Sequence, residues 1–202
     1  LKDNLTLHSL HLDSTFPDEA AIVALAEVVR VNRCLQSLDL GHNCLNGNIL
    51  LPLAEALLVN HSLCHLSLAG SQIDISVTLA IGRVLQANRN LRNLNISAVG
   101  LTRNGLKIII EALRNNASLR SLNIGVNNFG FIEIEMLAGV LVKNNRLHCL
   151  YLDSTALNDD GLAVLIRMLG VNRSLHILSI GGNPSISARH ILDVYDVIEE
   201  SR

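Results

Sequence analysis

Three residues of the types found in hydrolase active sites occur at equal intervals in the chain. His11, Asp39 and Ser67 are separated by 28 residues each, so in a chain that repeats with this interval they lie in a row. A serine hydrolase needs the histidine between the serine and the carboxylate, whereas here Asp39 is in the middle. An open face also offers no evident oxyanion hole. We therefore predict that the chain is not an enzyme.

A second group of side chains is of the kind that binds divalent metal ions: His11, Asp13, Asp39 and His42. Imidazole and carboxylate are suitable ligands, but the spacing fixes no coordination geometry, and an exposed hydrogen bond between histidine and aspartate explains the same residues. The four cysteines form no CxxC pair and are predicted to be reduced thiols: Cys34, Cys44, Cys64 and Cys149. We predict no metal site and no cofactor.

The elements that carry these residues follow from the repeat. The pattern Leu-x-x-Leu-x-Leu/Ile begins at Leu7, Leu35, Leu63, Leu91, Leu119, Leu147 and Leu175. This segment has the alternation of a short strand, and the second half of each repeat has the spacing of a buried helical stripe. Neither element buries its apolar side alone, so the repeats must stack, with parallel strands on one side and helices on the other. Because strands are only about 4.8 Å apart and helices are wider, the array must curve, with the strands on its concave face.

Two polar columns accompany the leucines. An asparagine stands three residues before each of them, and we interpret it as a left-handed residue that ends the helix: Asn4, Asn32, Asn60, Asn88, Asn116, Asn144 and Asn172. A second column, eight residues after each leucine, is predicted to hydrogen-bond the loop backbone of the neighbouring turn: Thr15, Asn43, Ser71, Val99, Asn127, Thr155 and Asn183. Val99 interrupts this column and indicates a weaker turn.

The motif LxxLxLxxN, followed by a helical half within 28 residues, resembles the ribonuclease-inhibitor-type leucine-rich repeats. That class includes the repeat domains of NOD-like receptors and of Ran GTPase-activating proteins. The resemblance covers Asn4 to about Ile198 and implies an α/β leucine-rich-repeat solenoid, or horseshoe, of seven repeats. Since the same scaffold serves unrelated partners, the resemblance implies a fold more than a function.

The ends of the array are expected to differ from its middle. The chain, one domain over residues 1–202, begins without Met at a leucine that fits the end of a repeat helix, so we expect an N-terminally truncated fragment. Acidic residues near the C-terminus predict a charged capping helix at about 188–202. No equivalent cap precedes Asn4, and we expect the end formed by Leu5, Leu7 and Ile22 to be exposed and self-associating.

The concave face is predicted from the residues two and four positions after each leucine. The central column is His11, Asp39, Ser67, Asn95, Asn123, Tyr151 and Ser179; beside it lie Ser9, Ser37, His65, Asn93, Ser121, Cys149 and Ile177. Tyr151, flanked by Cys149, Asp153 and Ile177, is the candidate anchor for a partner, because aromatic residues are enriched at binding hot spots. A solvated polar sheet face is the alternative. The partner-binding residues we predict are Tyr151, Cys149, Asp153, Ile177, Asn123, Asn95, His65, Asp39 and His11.

Charged residues separate to the two edges of the array. Basic residues precede the strands: Arg33, His61, Arg89, Arg92, Arg114, Arg120, Arg146, His148, Arg173 and His176. Acidic residues follow them: Asp13, Asp18, Glu19, Asp74, Asp153, Asp159 and Asp160. Acids at helix N-termini and bases at helix C-termini explain much of this separation, while a basic rim that docks an acidic partner is the alternative.

The net charge of −2 gives no overall field that would attract nucleic acid or an anionic membrane. No signal peptide or membrane-spanning stretch is evident, so we expect a cytoplasmic chain. The function we predict is a non-enzymatic protein–protein interaction module, an intracellular scaffold or the sensor domain of a receptor, that binds another protein through its concave face. The resemblance implies one alternative, a GTPase activator of the Ran type, which should show a long acidic tail or a dedicated loop aimed at the nucleotide.

Overall fold

A computed structural model describes residues 1–187, in which strands and helices alternate. The strands are β1 (Ser9–His11), β2 (Ser37–Asp39), β3 (His65–Ser67), β4 (Asn93–Asn95), β5 (Ser121–Asn123), β6 (Cys149–Tyr151) and β7 (Ile177–Ser179). The helices are α1 (Glu19–Val31), α2 (Gly47–Ala56), α3 (Ile75–Ala87), α4 (Arg103–Leu113), α5 (Phe131–Leu141) and α6 (Asp159–Leu169). The capping helix predicted at 188–202 lies outside the described residues. None of the helices within 1–187 has the length and apolarity needed to cross a bilayer.

The strands form one parallel sheet in the order β1 to β7. Each residue pairs with the residue one repeat later, as Leu10 does with Leu38 and Leu66 does with Leu94. The repeat register therefore carries directly into the sheet, and helices cover its other side. This confirms the predicted α/β leucine-rich-repeat solenoid.

The core is a stack of aliphatic layers between the sheet and the helices. In the second repeat Leu35, Leu38 and Leu40 are all buried, and the inner side of each helix completes the layer. At the first repeat Leu5 is 73% exposed and Leu7 is partly buried, whereas Ile22 is 0% exposed. The expected exposure of Ile22 is wrong because α1 packs on α2 and turns its apolar side inward. Self-association through this end stays a prediction.

A repeated irregularity places two consecutive residues on the open side of each strand. Leu91 and Leu94 are both buried, although strict alternation allows only one residue between two that share a face. The amides of Arg92 and Asn93 both donate to the carbonyl of Cys64, at 2.8 and 2.9 Å, as two consecutive amides do at a bulge. We call this feature the bulge, although neighbouring repeats contain equal numbers of residues. The same double donation recurs between every neighbouring pair of strands. The residue directly after the first leucine therefore lies at the edge of the concave face.

The asparagine before each strand holds neighbouring repeats together. Asn88 is 4% exposed and extended at φ −73°, so the left-handed conformation predicted for it is wrong. Its Oδ1 accepts from the amides of Asn90 and Leu91 at 2.7 and 2.9 Å. Its Nδ2 donates to the carbonyls of Leu57 and Asn60 at 2.7 and 2.9 Å. The carboxamide thus satisfies the backbone of its own turn and of the preceding repeat, which a left-handed backbone would not achieve.

The left-handed residues occur instead in the loop after each strand. The position seven residues after the first leucine has φ between 54° and 71° in every repeat. The residues there are Ser14, His42, Gly70, Ala98, Val126, Ser154 and Gly182. Because non-glycine residues rarely adopt this conformation, the turn is imposed by the stacking of the strands and not by the local residue type.

The second polar column behaves as predicted where it contains asparagine. Asn43 accepts from the amides of Thr15 and Phe16 in the preceding repeat, at 2.8 and 2.7 Å. Asn127 and Asn183 bond the preceding loops in the same way. The hydroxyl of Ser71, by contrast, is buried without a hydrogen-bond partner within residues 1–187. The loops are therefore tied unequally along the array.

Candidate functional site

The concave face contains the two columns that the sequence predicts. The strand register pairs His11 with Asp39, Asn95 with Asn123, and Asn123 with Tyr151. The second column runs beside it from Ser9 to Ile177, with one member in every strand. Side chains from all seven strands are thus presented on one surface.

The hydrolase-like residues lie in the row that the repeat predicts. The register places Asp39 between His11 and Ser67, so the histidine and the serine are two strand spacings apart, about 10 Å. The Oδ1 of Asp39 accepts from the Gly41 amide at 2.9 Å. Asp39 therefore stabilises the turn that follows its own strand, and the order of the row is not that of a catalytic triad.

Three of the four residues weighed as metal ligands lie together at the β1 end of the face. One ligand atom each from His11, Asp13 and Asp39 lies within 4.8 Å of the others, and in the described part of the chain His42 does not join them. His11 and Asp13 are exposed and Asp39 is half-buried. Exposed acidic groups commonly lie together without binding a metal ion. We assign no metal to this cluster.

In the middle of the face, Asn95 and Asn123 accept hydrogen bonds through the side-chain oxygen. The Oδ1 of Asn95 accepts from the Ser97 amide at 3.1 Å and from its hydroxyl at 2.8 Å, and the Oδ1 of Asn123 accepts from the Gly125 amide at 3.0 Å. These bonds shape the turn after each strand. The Nδ2 groups of Asn95 and Asn123 have no acceptor among the described residues, so both remain available as donors.

Tyr151 is half-buried on β6, between Asn123 on one side and Ser179 on the other. Of its predicted companions, Cys149 pairs with Ile177 at the other end of the strands. The third companion, Asp153, uses its Oδ1 within the array, accepting from the hydroxyl of Ser179 at 2.6 Å and from the amide of Gly181 at 2.8 Å. Asp153 therefore ties β6 to β7, a role that its sequence position did not indicate.

A shallow groove of about 260 Å³ crosses the face from β1 to β6. Its lining includes most of the predicted partner-binding residues: His11, Asp39, His65, Asn95, Asn123 and Tyr151. The other three, Cys149, Asp153 and Ile177, do not line it. The groove is thus continuous through the polar columns and ends at the aromatic side chain.

The bulge adds a third column to the face, which the sequence assigned to the loops. Its last four members are Arg92, Arg120, His148 and His176. Arg92 and His176 are exposed, and Arg120 and His148 are half-buried. The rings of His148 and His176 meet edge to face with centroids 5.2 Å apart. Desolvation lowers the pKa of His148, and the neighbouring Arg120 and His176 lower it further.

Other members of the charged edges have structural partners. Arg114, directly after α4, pairs with Glu111 in its last turn, with two N to O distances of 3.0 Å, and so does not belong to this column. Asp18 and Asp74 cap α1 and α3 by accepting from the amides of Ala21 and Val77, at 2.8 and 2.9 Å. Helix capping therefore explains these two acids, as expected for residues at helix N-termini.

The sequence contained one unused signal for the third column. Two residues separate the buried leucines of Leu-x-x-Leu, so the segment departs from strict strand alternation if both leucines face inward. That spacing alone indicates that the residue after the leucine joins the outer face. The residues at this position before β4, β5 and β6 are Arg92, Arg120 and His148, so the third column is basic there.

No known protein-family pattern matches the chain, and no curated protein sequence does. Solved structures that are similar include the tropomodulin C-terminal domain of Caenorhabditis elegans, at 13% identity over 99% of this chain and 87% of that chain, with a TM-score of 0.41. Leiomodin-1 actin-binding site 2 matches at 13% identity over 99% and 83%, with a TM-score of 0.37. The leucine-rich repeat-containing protein LegL7 from Legionella pneumophila matches at 14% identity over 98% and 73%, with a TM-score of 0.49. No functional assignment rests on these likenesses.

Proposed function

We propose that the chain is a non-enzymatic module that binds another protein through the concave strand face. The shape of the groove carries this proposal. It holds about 260 Å³ yet spans six strands, a distance of about 24 Å at the usual strand spacing. Small-molecule sites are compact and commonly enclose about 300–1,000 Å³. A long and shallow groove matches the contact surface of a macromolecule instead.

The chemistry of the face supports the same proposal. The free Nδ2 donors of Asn95 and Asn123 point to hydrogen-bonded recognition, and half-buried Tyr151 supplies contact area at the end of the groove. The order of His11, Asp39 and Ser67 argues against hydrolysis. The chain serves as a scaffold or a receptor's sensor domain in the cytoplasm, where its four free cysteines stay reduced.

The test begins with a photo-crosslinking residue placed at Tyr151 and, as a control, at Arg83, which is exposed on convex helix α3. A partner of the concave face is captured from position 151 and not from position 83. The purified partner is then titrated against the wild-type chain and Tyr151→Ala. We expect affinity to fall by about 1–3 kcal/mol, the range of an interface anchor, with an unchanged circular dichroism spectrum.

Arg114→Glu serves as the second control, because Arg114 lies at the end of α4 and pairs with Glu111. Unchanged affinity for Tyr151→Ala together with a large loss for Arg114→Glu would place the site on the helical side and overturn the proposal. Calorimetry on both variants distinguishes the two results.

A further inference from the structure

The residue directly before each of four neighbouring strands is basic: Arg92, Arg120, His148 and His176. The amide of Arg120 donates to the carbonyl of Arg92, that of His148 to Arg120, and that of His176 to His148, at 2.7 to 2.8 Å. Since each pair is joined by such a backbone hydrogen bond, the backbones of neighbouring members are one strand spacing apart, about 4.8 Å. We call these four residues the basic flank of the concave face.

No acidic side chain within residues 1–187 forms an ion pair with the basic flank. In residues 1–187 the ion pairs are Arg30–Glu27, Lys107–Glu133 and Arg114–Glu111, and none includes a member of the flank. Asp153 lies five residues beyond His148, about 16 Å along the strand, which exceeds the screening length of about 8–10 Å in physiological salt. Like charges at adjacent strand positions repel one another.

The pKa of His148 is consistent with the excess of positive charge in the flank. Desolvation is the largest cause of its lowered pKa, and the positive charges of Arg120 and His176 lower it further. The guanidinium of Arg120 donates to the Arg146 carbonyl at 3.2 Å, which orients it but does not neutralise it. An anion beside these side chains would satisfy both arginines and stabilise the protonated histidine.

The basic flank continues into the least polar part of the face. Cys149 and Ile177 directly follow His148 and His176 in the chain and pair with each other across β6 and β7. Ile177 is exposed and Tyr151 lies two residues further along β6. The surface therefore combines two arginines and two histidines with a small apolar area, which suits a segment that carries both carboxylates and an apolar side chain.

We propose that the partner of the concave face presents an acidic protein segment, rich in Asp and Glu, to the basic flank. This inference rests on the proposed function and names the chemistry of its partner. Carboxylates match the planar fork of arginine in paired hydrogen bonds. Nucleic acid fits less well, because the chain carries a net charge of −2.

The test measures fluorescence anisotropy of a labelled oligo(Glu) peptide with one central leucine, titrated with the full 202-residue chain. The double variant Arg92→Glu/Arg120→Glu should weaken binding by at least about tenfold, and binding by the wild type should weaken steadily as salt is raised. The matched control is Arg83→Glu/Arg167→Glu, which changes the net charge equally at exposed sites on α3 and α6. It should change affinity less than about twofold, because the altered charges lie on the convex side.

Each outcome has a definite meaning. An equal loss for both double variants reduces the effect to net charge and overturns the inference. An oligo(dT) of equal charge that binds more tightly than the peptide, and loses affinity in the flank variant, replaces the acidic protein with nucleic acid. The partner captured at position 151 is also titrated. If its affinity falls for Tyr151→Ala but not for the flank variant, binding through the concave face stands and the acidic segment is refuted. If neither variant loses affinity for the partner, the proposed function and the acidic segment are both refuted.

Discussion

Replacing Asn88 by alanine should destabilise the array by roughly 2–6 kcal/mol, at about 0.5–1.5 kcal/mol for each of four hydrogen bonds. The substitution removes two bonds from the amides of Asn90 and Leu91 and two to the carbonyls of Leu57 and Asn60. Because the side chain is only 4% exposed, water cannot readily replace the lost partners. The two carbonyls belong to the preceding repeat, so the substitution also weakens the junction between the repeats that contain β3 and β4.

Urea unfolding followed by far-ultraviolet circular dichroism measures the loss, since the chain has no tryptophan. Repeat arrays can lose two-state behaviour when one junction weakens. Amide hydrogen exchange of Asn90 and Leu91 should therefore be measured together with urea unfolding. Asn4→Ala is the matched control, because Asn4 is exposed and its Oδ1 accepts only from groups of its own turn among the described residues: the amides of Thr6 and Leu7 and the Thr6 hydroxyl. It should cost less than about 1 kcal/mol. A loss below about 1 kcal/mol for Asn88→Ala, or equal losses for both variants, would refute this account of the asparagine ladder.

Three further predictions concern the loops and the basic flank. Val126→Gly should raise the free energy of unfolding by about 1 kcal/mol, because a β-branched residue held at φ 54° and 57% exposed is strained; an unchanged urea midpoint would contradict this. Ser71→Ala should be neutral or stabilising because its buried hydroxyl is unpaired among the described residues, whereas Thr155→Ala should cost about 1 kcal/mol with its 2.8 Å bond to the Leu152 carbonyl; equal costs would count against the assignment. Arg120→Glu should raise the pKa of His148 in an NMR titration, since it exchanges a repelling charge for an attracting one. Because the His148 pKa is lowered in the folded chain, the unfolded chain binds the proton more readily. The contribution of His148 to the free energy of unfolding is therefore fully present above the unfolded pKa and falls on acidification. The variant should lose less of this contribution, and an unaltered His148 pKa would show that Arg120 does not act on His148.

The repeat pattern alone predicted the order of elements and the residues that share a face. The interval from Leu7 to Leu175 determines a parallel sheet because each strand and each helix leaves an apolar side that only its neighbour can cover. The concave columns followed for the same reason. The residue types determine which side of an element is apolar, so the register and most of the burial follow from the sequence. Ile22, which was expected to be exposed and is buried, is an exception.

The tertiary structure decided which backbone groups the polar side chains meet. Asn88 bonds the repeat before it, Asp153 ties β6 to β7, and the bulge moves Arg92 and Arg120 onto the concave face. These contacts join residues about one repeat apart and depend on how closely and at what angle the repeats stack. Hydrophobic periodicity specifies that repeats stack, but hydrogen bonds are sensitive to a few tenths of an ångström and to angle, and that geometry is fixed only when the whole array has packed.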